Sequence, residues 1–269
     1  MNCAVKKANR PFGHYANSVV RIGWLLFLRD FMYRYRQTFL GYFWAFIKPL
    51  LMGVPIILVG RQFDLGDNNA EVPYEVYSFI GLIFYNIFWD SVIFPQWIMR
   101  RTRKVIQNAP FPHEAVLVSS IFYVLFNTVV YLFLMTIVIV LFKTPVALSV
   151  FFTLMSIPLM MLAGISIGIY FAPTVLVYLD VRYSLSFISN ILMWSAPIVY
   201  KQPETGLLSN INRWNPITYL ISLPRDLLFG TQNGHIMFFV ISLLFFFVLL
   251  AVGLNYFYRA MSIAIDQII

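Results

Sequence analysis

Apolar residues run in long blocks separated by short polar stretches. Six blocks approach or exceed the roughly 20 residues that a helix rising about 1.5 Å per residue needs to cross a bilayer. They are 39–59, 74–98, 115–142, 147–178, 183–200 and 236–258. The pattern predicts an all-α membrane protein with six transmembrane helices. Ahead of the first block, Val20, Trp24, Phe27, Phe31 and Tyr35 recur at steps of three or four, while Arg21, Arg29 and Arg36 project from another side. That spacing predicts an amphipathic helix in the cytoplasmic interface, arginines toward phosphate headgroups and rings toward acyl chains. Its uninterrupted apolar core of about ten residues is too short to cross. The expected organisation is therefore a cytoplasmic N-terminus and interface helix over 1–38, then a six-span domain over 39–269.

The segment after the fifth block has a different texture. "KQPETGLLSNINRWNPITYLISLPRDLLFG", residues 201–230, is apolar throughout but broken by Pro203, Pro216 and Pro224. A long structureless loop is uncommon, so two short helices are expected, roughly 206–213 and 216–229. They would dip into the outer leaflet as a re-entrant hairpin, where irregular backbone must be sheltered by protein or line an aqueous cavity. Trp214, Asn215, Pro216, Arg225 and Asp226 make this hairpin a candidate outer gate.

Charge then fixes sidedness. With the N-terminus inside, the cytoplasmic face receives thirteen of the Lys and Arg residues and the opposite face five, with Lys48 left inside a span. The bias predicts N- and C-termini both cytoplasmic. Composition agrees with a membrane setting: 60% of residues are hydrophobic, 11% charged, and mean hydropathy is +0.77. The formal charge of +8 lies in loops beside apolar spans and points to lipid headgroups, not nucleic acid. Cys3, the lone cysteine, excludes an internal disulfide, and the N-terminal region lacks the small-residue cleavage site of a secretory signal.

Few residues offer chemistry inside the membrane. Lys48 and Asp90 each lie about nine residues, near 13 Å of helix rise, from the cytoplasmic end of their spans. One reading has them pair or flank a polar pathway, since a lone charge facing lipid is costly. In the other, Lys48 snorkels and Asp90 lies higher. In "GISIG", Gly164 and Gly168, followed by Ala172, stand four apart and mark a face for close helix packing. Pro158 and Pro173 are expected to kink the same helix. No catalytic or metal constellation is expected, because His14, His113 and His235 fall in three separate loops. No glycine is followed by lysine, so a phosphate-binding loop of the Gly-x-x-x-x-Gly-Lys type is missing and ATP hydrolysis belongs elsewhere.

Between the second and third blocks, "RRTRKVIQNAPFPHEAV" begins with a short basic helical piece that Pro110 and Pro112 should stop. This loop, "RDFMYRYRQTFLGYFWAFIKPL", "SAPIVY" and "WNPITYLISLPRDLLFG" together resemble the transmembrane subunit of bacterial ATP-binding-cassette exporters of polysaccharides, the class that moves O-antigen, capsule or teichoic-acid chains. The resemblance runs from about Val19 to the C-terminus and rests on the order of the motifs. His113 departs from the family's usual Arg, and Lys48 from an uncharged residue.

The resemblance implies a homodimer in the bacterial inner membrane, with two separate ATPase subunits holding ATP and Mg beneath it. This chain would itself bind no cofactor and catalyse nothing. Arg29, Arg34 and Arg36 would guard lateral entry of a lipid-linked glycan. Arg100, Arg101, Arg103, Lys104, Pro110, Phe111, Pro112, His113 and Glu114 would couple to the ATPases. Phe39, Tyr42, Phe43, Phe46, Lys48, Asp90, Trp194 and Tyr200 would line the sugar path, rings stacking weakly on sugar faces. On an α-helical period Phe39, Phe43 and Phe46 share one side, and Trp44 points away. Two rivals stand: a secondary transporter or channel for a small solute, and a membrane enzyme using Asp90 or His113.

Overall fold

The computed structural model describes residues 12–36, 39, 41–62, 72–108, 112–200, 205–230 and 236–268. Among them the chain is helical, without a strand: α1 Phe12–Arg36, a 3₁₀ turn Gly41–Phe43, α2 Trp44–Gln62, α3 Tyr74–Asn108, α4 Glu114–Phe142, α5 Val150–Val177, α6 Asp180–Ser195, α7 Leu207–Trp214, α8 Pro216–Phe229 and α9 Ile236–Ile268. Five stretches are long and apolar enough to cross a membrane: Gly41–Gly60, Tyr74–Asn108, Glu114–Phe142, Val150–Val177 and Ile236–Gln267.

The fold is organised around α3, whose residues from Val76 to Ile98 are almost all buried. Helix α5 lies along it, α4 covers another side, and α9 packs on α5 from outside. The α3–α5 contact is made by the predicted small-residue face. A Cβ on Gly168 would stand 2.7 Å from the Val92 carbonyl oxygen, and one on Gly164 would meet the Phe88 carbonyl and the Ser91 side chain. Only hydrogen fits there, so the backbones touch.

Two expectations change. The block 183–200 becomes a 16-residue helix ending at Ser195, about 24 Å by helix rise. Pro197 disfavours α geometry in the residue before it, and Ala196 is extended, with ψ at 150°. Residues 196–199 are buried, their backbone held by side chains of other helices: Tyr74 Oη donates to the Val199 carbonyl at 2.6 Å and Arg225 to that of Ile198 at 3.3 Å. The second change concerns the basic piece 100–104. It is the continuation of α3, one helix of 35 residues, and ends at Asn108 before the prolines.

The predicted pair of short helices after α6 is present. Asn215 caps α8, its side chain accepting from the Ile217 N–H at 3.0 Å with Pro216 in the first turn. Gly230 ends it in the left-handed region, φ 73°.

Helix α1 packs on the start of α4. A Cβ on Gly23 would meet the Val118 side chain at 2.8 Å. Trp24, Phe27 and Phe31 interleave with Phe122, Tyr123 and Phe126 of α4. The aromatic stripe read from the sequence therefore faces protein along much of its length.

Candidate functional site

The groups with chemistry fall into three places. The first is a polar cluster where α3 meets α4. The Asp90 carboxylate accepts through Oδ2 from Asn127 Nδ2 at 2.7 Å and from the Tyr131 hydroxyl at 2.8 Å. Asn127 and Tyr131 stand one helical turn apart on α4, so both donors reach a single oxygen. The Lys48 and Arg34 charges lie near enough to attract this carboxylate. The two charges singled out in the sequence are thus neighbours. No hydrogen bond or ion pair joins them among the described residues; Asp90 is held by neutral donors instead. Sequence reasoning missed Asn127 and Tyr131, which are uncharged positions inside an apolar run.

The second place is where α1 meets the basic end of α3. Trp97 on α3 lies between two guanidinium groups, Arg101 at 4.3 Å and Arg34 at 5.6 Å from the ring centre. Arg101 also stands 5.2 Å from the Tyr33 ring of α1. Such contacts strengthen as they leave water. They tie α1 to the basic end of α3. At the other end of α1, Tyr15 Oη donates to the Glu114 carboxylate at 3.0 Å. Residues proposed for entry and for coupling therefore belong to one connected body. Arg29 pairs with Asp30 at 2.9 Å, and Arg36 closes α1. Arg100 and Arg103 are half-buried, Lys104 is exposed, and Pro112 and His113 form the turn into α4. Pro110 and Phe111 lie outside the described residues. Trp97 was the missed residue; it reads as one more aromatic at an interface.

The third place is around α7 and α8. Arg225 is 1% exposed, its guanidinium carbon 3.7 Å from the centre of the Tyr77 ring. Asp226 beside it is also buried. A Cβ on Gly81 of α3 would meet Arg225 Nη1 at 2.8 Å, so glycine makes room for the arginine. Tyr200 donates to Asn212 Oδ1 at 3.3 Å and joins α7 to the turn and bend after α6. Trp214 is exposed.

Of the ring-bearing residues proposed for a sugar path, Tyr200 belongs to this third place; the others are not among the residues of the three clusters. Phe39, Tyr42, Phe43 and Trp44 are exposed, and Phe46 packs edge-on against Phe133 at 6.0 Å. Because Gly41–Phe43 is a 3₁₀ turn, the α-helical period assumed for Phe39 and Phe43 begins only at Trp44. Tyr42 stacks on Phe31 of α1 at 5.3 Å. Trp194 is exposed on α6 and makes no ring contact among the described residues. Lys48 is exposed at the edge of α2.

No protein-family model matches the chain. One curated protein does, the O-antigen export system permease protein RfbA of Klebsiella pneumoniae. It is 25% identical over 241 residues, covering 85% of this chain and 88% of that protein. The chain is a relative of an O-antigen export permease. The likeness covers 85% of this chain, so it is not confined to one motif. Together with several long apolar helices, it supports a multi-pass membrane protein of the permease kind.

Proposed function

We propose that this chain is the non-catalytic membrane subunit of an ATP-driven exporter that moves lipid-linked polysaccharide of the O-antigen, capsule or teichoic-acid type across the bacterial inner membrane. The observation that carries the reading is the likeness to an O-antigen export permease along 85% of the chain. Two copies form a homodimer, and two ATPase subunits supply ATP and Mg chemistry from the cytoplasm. Residues 1–38 provide the N-terminus and interface helix, and 39–269 the permease domain.

Six crossings with both termini inside follow if α6 and the residues after it make one passage. Sixteen helical residues cover about 24 Å, and residues 196–200 follow as turn and bend. Helices α7 and α8 then form the re-entrant outer hairpin, with Arg225 anchoring the gate. The exposed rings of Phe39, Tyr42 and Phe43 just ahead of α2, and Trp194 of α6, face the path between protomers, where weak ring–sugar contacts allow sliding. The Arg34–Trp97–Arg101 stack passes movement of the coupling turn to the interface helix at the substrate entrance.

Purification from native membranes in mild detergent tests this. An ATP-binding-cassette ATPase is expected to co-purify in about equal amount and to hydrolyse ATP. A chain that purifies alone, and turns over a lipid-sugar substrate by itself, contradicts it.

A further inference from the structure

We infer that the Asp90 carboxylate, presented by Asn127 and Tyr131, is a binding subsite for a sugar hydroxyl; the inference rests on the export reading above. Both donors from α4 converge on Oδ2, at 2.7 and 2.8 Å. Among the described residues no hydrogen bond reaches Oδ1, and Asp90 keeps part of its surface accessible. Holding α3 against α4 uses Oδ2 alone. The second oxygen is therefore oriented and still able to accept, an arrangement that helix packing does not require.

The surroundings select its ligand. Lys48 and Arg34 already place positive charge near Asp90, which disfavours a further free cation. Neither forms an ion pair with it among the described residues. Neutral O–H donors remain, and hydrogen bonds from them to a carboxylate are roughly twice as strong as those between neutral groups. A sugar hydroxyl is such a donor, and the free oxygen of an oriented carboxylate is its acceptor. The exposed Lys48 ammonium stands at the α2 side, able to take a sugar oxygen as acceptor.

The test is saturation-transfer NMR on the full chain in nanodiscs, titrated with maltoheptaose, a mannose tetrasaccharide and a galactose tetrasaccharide at millimolar concentration. At least one should bind the wild type, and Asp90→Asn should weaken it about tenfold, the loss of a charged acceptor. Tyr131→Phe, which frees Oδ2 without touching Oδ1, should weaken it less. If Asp90→Asn does not fold, carbodiimide labelling of wild-type Asp90, read by mass spectrometry, replaces it: a bound oligosaccharide should protect the carboxyl. Absence of binding to the wild type, equal binding by folded Asp90→Asn, or unprotected labelling overturns the inference. An ATPase that co-purifies while no sugar binds removes the subsite and leaves the export reading. Sugar binding at Asp90 in a chain that never associates with an ATPase does the reverse.

Discussion

Gly164→Leu is expected to abolish the folded protein. The Cα of Gly164 lies against the Phe88 carbonyl and the Ser91 side chain of α3, and a Cβ there already overlaps both. Leucine adds three further carbons at the closest approach of the two most extensively packed helices. They would have to separate along their length, exposing the Gly168–Val92 contact as well. Overpacking in cores costs about 1–3 kcal/mol and sometimes more, and a backbone-to-backbone contact cannot yield by a change of rotamer. The yield of monodisperse protein in detergent should fall at least about tenfold, the equivalent of roughly 1.4 kcal/mol. Leu162→Ala, on the exposed side of the same helix, should leave it within about twofold. A Gly164→Leu protein that behaves like wild type would mean that α3 and α5 do not pack as described.

Arg225→Ala is the second large effect. The side chain is fully enclosed, with its charge over the Tyr77 ring and its Nη1 on the Ile198 carbonyl. Truncation leaves a cavity and removes the donor from a buried carbonyl in the turn that follows α6. A buried cation–π contact is worth about 2 kcal/mol and a hydrogen bond from a charged donor about 1.5–3 kcal/mol. Relief of the desolvated charge offsets part of this, so a net loss of about 3 kcal/mol is expected. The thermal unfolding midpoint in nanodiscs should drop by roughly 6–12 °C. Arg225→Met, which fills the space without the charge, should lose less than half as much, and an unchanged midpoint for Arg225→Ala would refute the anchoring role.

Much of this fold was legible because long apolar runs and backbone punctuation act locally. Asn215, Pro216 and Gly230 delimit α8 at the residues the pattern predicted, and the four-residue spacing of Gly164 and Gly168 announced a close contact without naming its partner. The failures share a cause. Counting apolar residues cannot register that Pro197 straightens Ala196, so the helix in the block 183–200 stops at Ser195, short of the block's end. Arg100 to Lys104 were read as a separate piece because charge usually marks a boundary, whereas Trp97 and Tyr33 give Arg101 a place beside the helix. Asn127 and Tyr131 escaped notice because a polar group buried between helices leaves no mark on hydropathy. The exposed rings at 39–44 could be named from the sequence, but not aimed, since the helical period does not hold through a 3₁₀ turn.

The claim that ties these places together is that this chain carries a lipid-linked glycan across the inner membrane. Deleting it in its host and comparing surface glycan with the pool attached to lipid carrier inside the cell measures that directly. Loss of the surface polymer, together with accumulation of lipid-linked polymer in the inner leaflet, is the predicted result, restored by the wild-type chain. Unchanged surface glycan and no intracellular accumulation would contradict it.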